Sequence, residues 1–499
     1  MITFITLFLG LTWGPQTIEV LAPAPAARVV LLLDGTEVAS DAEPPWRLTC
    51  DLGEEPAPRL LEAVAYDAEG GELGRARRAV NLAMPRAEAG MVLERDDDGR
   101  AEAVRLAWQS VSDAEPSAVE VLFDGEPLTV TDPRRVALPD HDAGALHVVS
   151  AELTFTGGAR ARADLAFGGA FGAAISTENT AVAVRTDAGR ALRSREDAAG
   201  LLTIGGESLP VLAVEHERAD LVFVVERSSG DVLKSLNLDL LLSGDTAPVR
   251  STASTETYRL PPSGTPRGSR ASVPTTRASS SRSRGGLLGG DRMFLVLPVA
   301  APAGATPYDL FPVSQAFTAE DGGSAWVLTA HRFLDDGRPG QHLARAVAVA
   351  GIHAASGKRP RAVVLVLGPA PDEASPFPPA VARRLLARLR VPLVVWYVEK
   401  GWKAMRGEER EAFWKGQGDL PRNARVAARE LDEARARRRD LAAGGWGPVR
   451  DIDSVEALTE EARRLREEVE DQRVLWVDGL HLPGDVALAD GWAGVELLE

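Results

Sequence analysis

The second half of the chain contains continuous apolar runs of strand length, and these constrain the fold more than any other feature. They read LVFVV at 221–225, RMFLVLPV at 292–299, AVVLVL at 362–367 and VPLVVWYV at 391–398. Runs without alternation are typical of parallel strands covered on both faces. Helical periodicity separates them over 342–355, 379–390 and 454–470, and RVLWV at 473–477 follows as a further strand. This alternation predicts an α/β doubly wound domain over 201–499.

The first third of the chain is patterned for antiparallel strands, and the pattern occurs twice. The run 29–33 ends at Asp34-Gly35, and 90 residues later the run 119–123 ends at Asp124-Gly125. Asp-Gly after an apolar run favours a tight hairpin turn. The spacing predicts tandem β-sandwiches of immunoglobulin-like type over 17–85 and 86–185. Cys50 is the single cysteine, so no disulfide can form within the chain.

Composition limits the classes of partner. The 499 residues carry a formal charge of −16, which argues against a protein-wide nucleic-acid surface.

Two insertions interrupt the α/β pattern. Residues 243–290 are rich in Ser, Thr, Pro, Gly and Arg and are predicted to be disordered. Residues 403–442 are highly charged and predict a solvated surface helix.

The start of the chain, MITFITLFLGLTWGPQ, is apolar from Ile2 to Trp13. This length suits the core of a signal peptide and is too short to cross a bilayer. We therefore predict a signal segment over 1–16 and an extracytoplasmic location. The alternative is a buried first strand. No other stretch has the length and apolarity of a transmembrane span.

The order of strands and helices over roughly 201–482 resembles the von Willebrand factor type A domain, and in particular the divergent forms found in bacterial cell envelopes. AVVLVLG at 362–368 is similar to the strand before the third metal loop of that family, and LTEEARRLREEVEDQRVLWVDG at 458–479 is similar to its closing helix and strand. The resemblance implies a non-catalytic protein–protein interaction or adhesion module of the envelope, with an unknown protein partner. It also implies a metal-ion-dependent adhesion site, in which Asp-x-Ser-x-Ser, a Thr and a second Asp surround Mg²⁺.

The residues at the corresponding positions depart from that motif. Glu226 stands where the first Asp belongs, Ser228 matches the first Ser, and Gly230 replaces the second Ser. Gly368 follows the 362–367 strand where the loop Asp belongs. The nearest substitutes for the remaining ligands are Thr329 and Asp372. The sequence therefore predicts a degenerate site, with Glu226 and Ser228 as the remaining metal ligands and no bound cofactor.

Three alternatives stay open at this point. A metal-dependent adhesin would still bind Mg²⁺ through Glu226 and Ser228. A serine hydrolase would use Ser228, although its context, ERSSG, lacks the first glycine of a nucleophile elbow and the seven histidines form no paired motif. A structural spacer would bind nothing. We expect no enzymatic activity.

Overall fold

The structure is a computed structural model of the whole chain. It describes residues 2–498 apart from 7, 9, 24, 83–86, 97–99, 111–114, 143–144, 146, 157–159, 168–178, 188–191, 231–290, 300–312, 315, 319–339, 358 and 401–423.

The first domain is a β-sandwich of seven strands: β1 (Thr3–Phe4), β2 (Pro15–Leu21), β3 (Arg28–Leu33), β4 (Thr36–Asp41), β5 (Trp46–Asp51), β6 (Arg59–Tyr66) and β7 (Glu72–Val80). One antiparallel sheet has the order β1-β2-β5 and the other β4-β3-β6-β7. Their inner faces form one core, which includes Leu31, Leu48 and Leu61. The predicted sandwich is confirmed for this domain.

The first residues of the chain belong to this sandwich. Ile2, Phe4 and Phe8 are buried in its core, and β1 pairs antiparallel with β2. Residues 1–16 were predicted as a signal peptide, with a buried first strand as the alternative. Their described part agrees with the buried strand.

The second domain repeats this architecture with β8 (Ala87–Arg95), β9 (Ala101–Ser110), β10 (Pro116–Phe123), β11 (Glu126–Pro127), β12 (Arg135–Ala137), β13 (His147–Phe155) and β14 (Arg160–Phe167). The sheets have the orders β11-β10-β13-β14 and β12-β9-β8. Strict alternation along β13 buries Val149, Ala151 and Leu153 between the sheets. The prediction of tandem β-sandwiches is confirmed. Four further strands follow: β15 (Asn179–Thr186), β16 (Leu202–Ile204), β17 (Glu207–Leu209) and β18 (Val211–Glu215).

A five-stranded parallel sheet comes next, formed by β19 (Asp220–Val225), β20 (Arg292–Val296), β21 (Arg361–Leu367), β22 (Leu393–Val398) and β23 (Val449–Ile452). Its order is β20-β19-β21-β22-β23. Beyond β20, Val313 and Phe317 form antiparallel bridges to Val296 and Met293. The continuous apolar runs form four of its five strands, as predicted: β19, β21 and β22 are central, and β20 is an edge strand. β23 has no counterpart in the sequence prediction because its four residues, VRDI, contain no continuous apolar run.

Helices cover both faces of the parallel sheet. Helices α1 (Leu343–Ala355) and α2 (Pro379–Arg388) pack on one face. Helix α4 (Val455–Glu470) packs on the other through Leu458, Ala462 and Leu465. Ser454 caps α4 as predicted, since its Oγ accepts a hydrogen bond from Ala457 N at 3.2 Å. The domain is therefore doubly wound.

The chain then returns to the strands that precede the parallel sheet, through β24 (Gln472–Asp478), β25 (Val486–Leu488) and β26 (Val495–Leu497). The prediction that 473–477 continues the doubly wound sheet is wrong, because β24 lies between β18 and β15 in an antiparallel sheet of order β18-β24-β15-β26. β15 lies in that sheet and not in the second sandwich. Strands β16, β17 and β25 form a small sheet beside it, and both share one core.

The insertion at 243–290 lies outside the described residues, so its predicted disorder stays a prediction. The described part of the 403–442 insertion is helix α3 (Ala424–Ala442). It is not fully solvated: Leu431 is 2% exposed and Arg435 is 9% exposed. Arg435 forms an ion pair with Asp451, which immediately follows Arg450 in β23. Arg438 pairs with Glu399 after β22. These ion pairs hold the helix against the sheet. Sequence periodicity gives no sign of them, so the contact was not predicted.

Candidate functional site

The candidate site lies at the carboxyl edge of the parallel sheet, between β19 and β21. From β19 the chain crosses to β20 on one side, and then to β21 on the other. In open α/β sheets, ligands bind in the crevice at such a switch point. Glu226 follows β19, Gly368 follows β21, and Gln341 precedes α1. These three residues meet in the crevice.

The carboxylate of Glu226 is fully buried, with 0% of the residue exposed. Its Oε1 accepts hydrogen bonds from Ser228 N and from Gln341 Nε2, both at 2.8 Å. Its Oε2 accepts from Ser228 Oγ at 2.5 Å and from Gly368 N at 3.0 Å. A carboxylate offers about four lone-pair positions. All four are therefore used by donors of the protein itself.

The turn after β19 is built around the same carboxylate. Residues Arg227–Ser229 form one turn of 3₁₀ helix, with Glu226 as its N-cap. Gln341 Oε1 accepts from Arg227 N at 2.9 Å, so the amide of Gln341 bridges the turn and the carboxylate. Ser229 Oγ donates to the Glu226 carbonyl at 2.6 Å. The turn is thus fixed by its own side chains and by Gln341, which precedes α1.

The loop after β21 approaches this turn so closely that only glycine fits at position 368. A Cβ on Gly368 would lie 2.3 Å from Ser229 N and 2.4 Å from Ser228 Oγ. The close approach lets Gly368 N reach Glu226, and lets Ala370 N donate to Ser228 Oγ at 3.1 Å. An aspartate, which the adhesion motif would place here, has no room in this arrangement.

The proline-rich loop 369–378 continues across the edge to cap helix α1. Glu373 Oε2 accepts from Ala344 N at 2.8 Å, and Ser375 Oγ accepts from Arg345 N at 3.1 Å. These are the amides that a helix N-terminus leaves without partners. Asp372 is exposed and makes no hydrogen bond or ion pair with any residue in the described part of the chain. The loop is therefore anchored beside Asp372, and Asp372 itself faces solvent.

The structure thus brings together two of the predicted ligands. Glu226 and Ser228 are in direct contact, Gly230 is buried nearby in the turn, and Asp372 is not part of the network. Thr329 lies outside the described residues. No group of three or more His, Cys, Asp or Glu side chains suited to a metal ion occurs among the residues described.

These residues do not fit the Mg²⁺ that the motif implies. Magnesium needs oxygen ligands with open lone pairs in near-octahedral geometry. Here both Glu226 oxygens are already saturated by N–H and O–H donors, and the Ser228 hydroxyl donates its proton to that same carboxylate. The hydrogen-bond donors of Gln341 and Gly368 occupy the directions in which a cation would have to bind.

Sequence reasoning did not identify Gln341, Glu373 or Ser375. The sequence carried no signal for Gln341, because the carboxylate that it bonds lies 115 residues earlier in the chain. It carried none for Glu373 and Ser375 either, because the amides that they cap belong to a helix 29 and 30 residues earlier in the chain.

A loop of the first sandwich packs beside the proline-rich loop. The rings of Trp13 and Phe377 meet edge to face, with centroids 5.9 Å apart, and the Arg345 guanidinium lies 5.4 Å from the Trp13 ring centroid. Asn81 fixes the Trp13 loop, since it bonds both the N and the O of Thr12 at 2.8 and 2.6 Å. The first sandwich therefore contacts the α/β domain next to the candidate site.

No protein-family model matches the chain, and no curated protein matches it. Among solved structures, the chain is similar to the fibronectin(III)-like modules of CbhA from Clostridium thermocellum, at 20% identity and a TM-score of 0.15, over 16% of this chain and 93% of that one. It is also similar to SGBP-B of the Bacteroides ovatus mixed-linkage glucan utilization locus, determined with a mixed-linkage heptasaccharide, at 13% identity and a TM-score of 0.12, over 42% of this chain and 57% of that one. The sandwich architecture described above rests on strand pairing and not on these likenesses.

Proposed function

We propose that the chain is a non-catalytic protein–protein interaction module of the bacterial cell envelope, in which a von Willebrand A-like domain has replaced its metal ion with a closed hydrogen-bond network. The observation that carries the proposal is the four-donor saturation of Glu226 at the switch point. The doubly wound sheet, with Glu226 and Ser228 at its first loop, supports the von Willebrand A assignment. The two sandwiches support a multidomain interaction protein.

The chemistry of Ser228 supports a non-catalytic role. A nucleophilic serine donates to a general base and leaves its oxygen open toward a substrate. Ser228 Oγ instead donates to Glu226 and accepts from Ala370 N at 3.1 Å. Both contacts hold loops together, and none of the hydrogen bonds described for this hydroxyl involves a histidine. A hydrolase would have to open this network before any substrate could approach.

The interaction surface that we assign lies on the exposed part of the proline-rich loop around Asp372. This loop is preorganised by Glu373, Ser375 and Phe377, so binding would immobilise little additional chain. An extracytoplasmic location and a protein partner belong to the same proposal. Within the described residues, no helix is long and apolar enough to span a membrane.

The decisive experiment combines metal binding and partner capture. Calorimetry and thermal unfolding with millimolar Mg²⁺ or Mn²⁺ should give no binding heat and no stabilisation. Cross-linking in an envelope extract should yield one defined partner, whose capture survives EDTA and is lost in Asp372→Arg but kept in the exposed control Glu207→Arg. Metal-dependent capture would replace this proposal with the metal-dependent adhesin. Turnover of an ester, peptide or phosphate substrate that disappears in Ser228→Ala would replace it with the hydrolase.

A further inference from the structure

A cavity of about 480 Å³ opens at the amino end of the parallel sheet, at the opposite end of the strands from Glu226. Its walls come from the linker before β19, from the start of β20 and from the last turn of α4. The residues that matter for its chemistry are His216, Arg218, Asp291, Arg466, Glu470 and Asp471. This volume lies within the range of about 300 to 1,000 Å³ that is usual for small-ligand pockets.

Asp291 is the buried acid of this cavity, with 9% of the residue exposed. Its Oδ1 accepts a hydrogen bond from Ala219 N at 2.9 Å, which fixes the carboxylate against the wall. Its Oδ2 has no hydrogen-bond partner among the described residues. Burial raises the pKa of Asp291 above its usual value. A buried carboxylate with one unsatisfied oxygen is stabilised by any cation that reaches it.

The remaining charges of the walls favour a cation. Arg466 pairs with Glu470 at 2.7 Å, and Glu217 pairs with Arg359 at 2.8 Å. Burial lowers the pKa of His216, which disfavours its cationic form. Arg466 and the exposed Arg218 both act on the charge of Asp291, but the lining carries four carboxylates, Glu217, Asp291, Glu470 and Asp471, against these two arginines. Asp471 is the C-cap of α4, where the helix dipole adds further negative potential.

We propose that this cavity binds an organic cation, a guanidinium or primary ammonium group, with Asp291 Oδ2 as the anchoring acceptor. Such groups offer several N–H donors, and a charged donor forms a stronger bond to a carboxylate than a neutral one does. The source is either a small free amine or the side chain of an Arg or Lys in a peptide. The site is separate from the proposed interaction surface, and each can fail without the other.

The test is calorimetric titration of the full chain with two probes, agmatine for the free amine and N-acetylarginine amide for the peptide side chain. We expect saturable binding near neutral pH, and the tighter probe identifies the source. Asp291→Asn should weaken binding by at least about tenfold, since it removes the anionic acceptor. Arg218→Gln should strengthen binding, because it removes a positive charge from the wall. Glu207→Gln, outside the cavity, should change nothing.

If Asp291→Asn fails to fold, a neutral isostere of the arginine probe provides a second test. N-acetylcitrulline amide has the shape of the arginine probe without its charge, and it should not bind the wild-type chain. Equal binding of the citrulline and arginine probes, or no saturation with either cation, would overturn the proposal. Unchanged affinity in a folded Asp291→Asn variant would overturn it as well.

Discussion

Asp34 and Asp124 occupy equivalent positions in the two sandwiches and make the same backbone contacts. Each lies in an Asp-Gly turn with positive φ, 50° and 49° respectively. Asp34 Oδ1 accepts from Leu60 N at 2.8 Å, and Asp124 Oδ1 accepts from Val148 N at 2.7 Å. The other oxygen of Asp34 binds Arg59, and that of Asp124 binds His147. The repeat therefore keeps the carboxylate but exchanges a permanent cation for a titratable one.

We expect the second sandwich to lose stability as the pH rises above neutrality. The hydrogen bond to Asp124 raises the pKa of His147 from its ordinary 6.5. Its contribution is therefore complete below the unfolded pKa and disappears as the pH rises through the folded pKa. Burial opposes the ionisation of Asp124, but hydrogen bonds from His147 and Val148 N lower its pKa below 3.8, so its contribution disappears only in acid. Urea unfolding between about pH 5 and 9 measures the change.

The chain itself supplies the matched control. His147→Arg places in the second sandwich the cation that Arg59 provides in the first, and the loss of stability above neutrality should disappear. His141 also faces His147, with ring centroids 5.0 Å apart, so His141→Gln separates its contribution. A slope that persists in His147→Arg would assign the pH dependence to another group.

Glu226→Gln should lower the free energy of unfolding by about 2 to 3 kcal/mol, although it changes no volume. The new amide can take two orientations, and in each its NH₂ group meets two donors. In one orientation these are Ser228 N and Gln341 Nε2, and in the other they are Ser228 Oγ and Gly368 N. Denaturant unfolding of the full chain measures the loss. Glu207→Gln makes the same chemical change on the surface and should be neutral. If Glu226→Gln left the free energy of unfolding unchanged, the network would not be what holds this edge of the sheet together.

Gly368→Ala should separate the two loops of the switch point. Its methyl group would meet the backbone of the 226–229 turn at 2.3 to 2.4 Å, and backbone cannot rotate away as a flexible side chain can. Overpacking of this kind costs about 1 to 3 kcal/mol or more. Faster hydrogen exchange at the amides of position 368 and Ala370, which bond across the two loops, would report the separation. Gly90→Ala, where nothing lies within 4 Å, is the control, and equal exchange in both variants would contradict the expectation.

Trp13→Ala should uncouple the first sandwich from the α/β domain. The change removes the edge-to-face contact with Phe377 and the cation–π contact with Arg345. Trp13 and Arg345 are both half-buried, and a cation–π contact is worth about 0.5 to 2 kcal/mol, more as it is desolvated. In scanning calorimetry the first sandwich should then melt in a separate, earlier transition. Trp13→Phe retains a ring and should largely restore coupling. One unchanged transition in Trp13→Ala would show that other contacts suffice.

The sequence predicted those parts of the fold that depend on local pattern. The tandem Asp-Gly hairpins, the buried parallel strands and the Ser454 cap each follow from short-range periodicity and turn chemistry. The place of β24 did not follow, because an apolar strand has the same pattern in a parallel or an antiparallel sheet. In the site, Glu226 and Ser228 were identifiable from a motif. Gln341, whose role depends on a contact 115 residues away in the chain, was not.

The pairing of β15 with β24 has a consequence for the order of folding. Thr180 Oγ1 bonds the Gly479 carbonyl, a partner 299 residues later in the chain. Both sandwiches can fold as soon as they leave the ribosome, whereas β15 must wait for almost the whole remaining chain. At typical rates of synthesis this delay is roughly 15 to 60 s. During that time the edges of β15 are unpaired and open to wrong strand partners, so the nascent chain is most exposed to aggregation at β15.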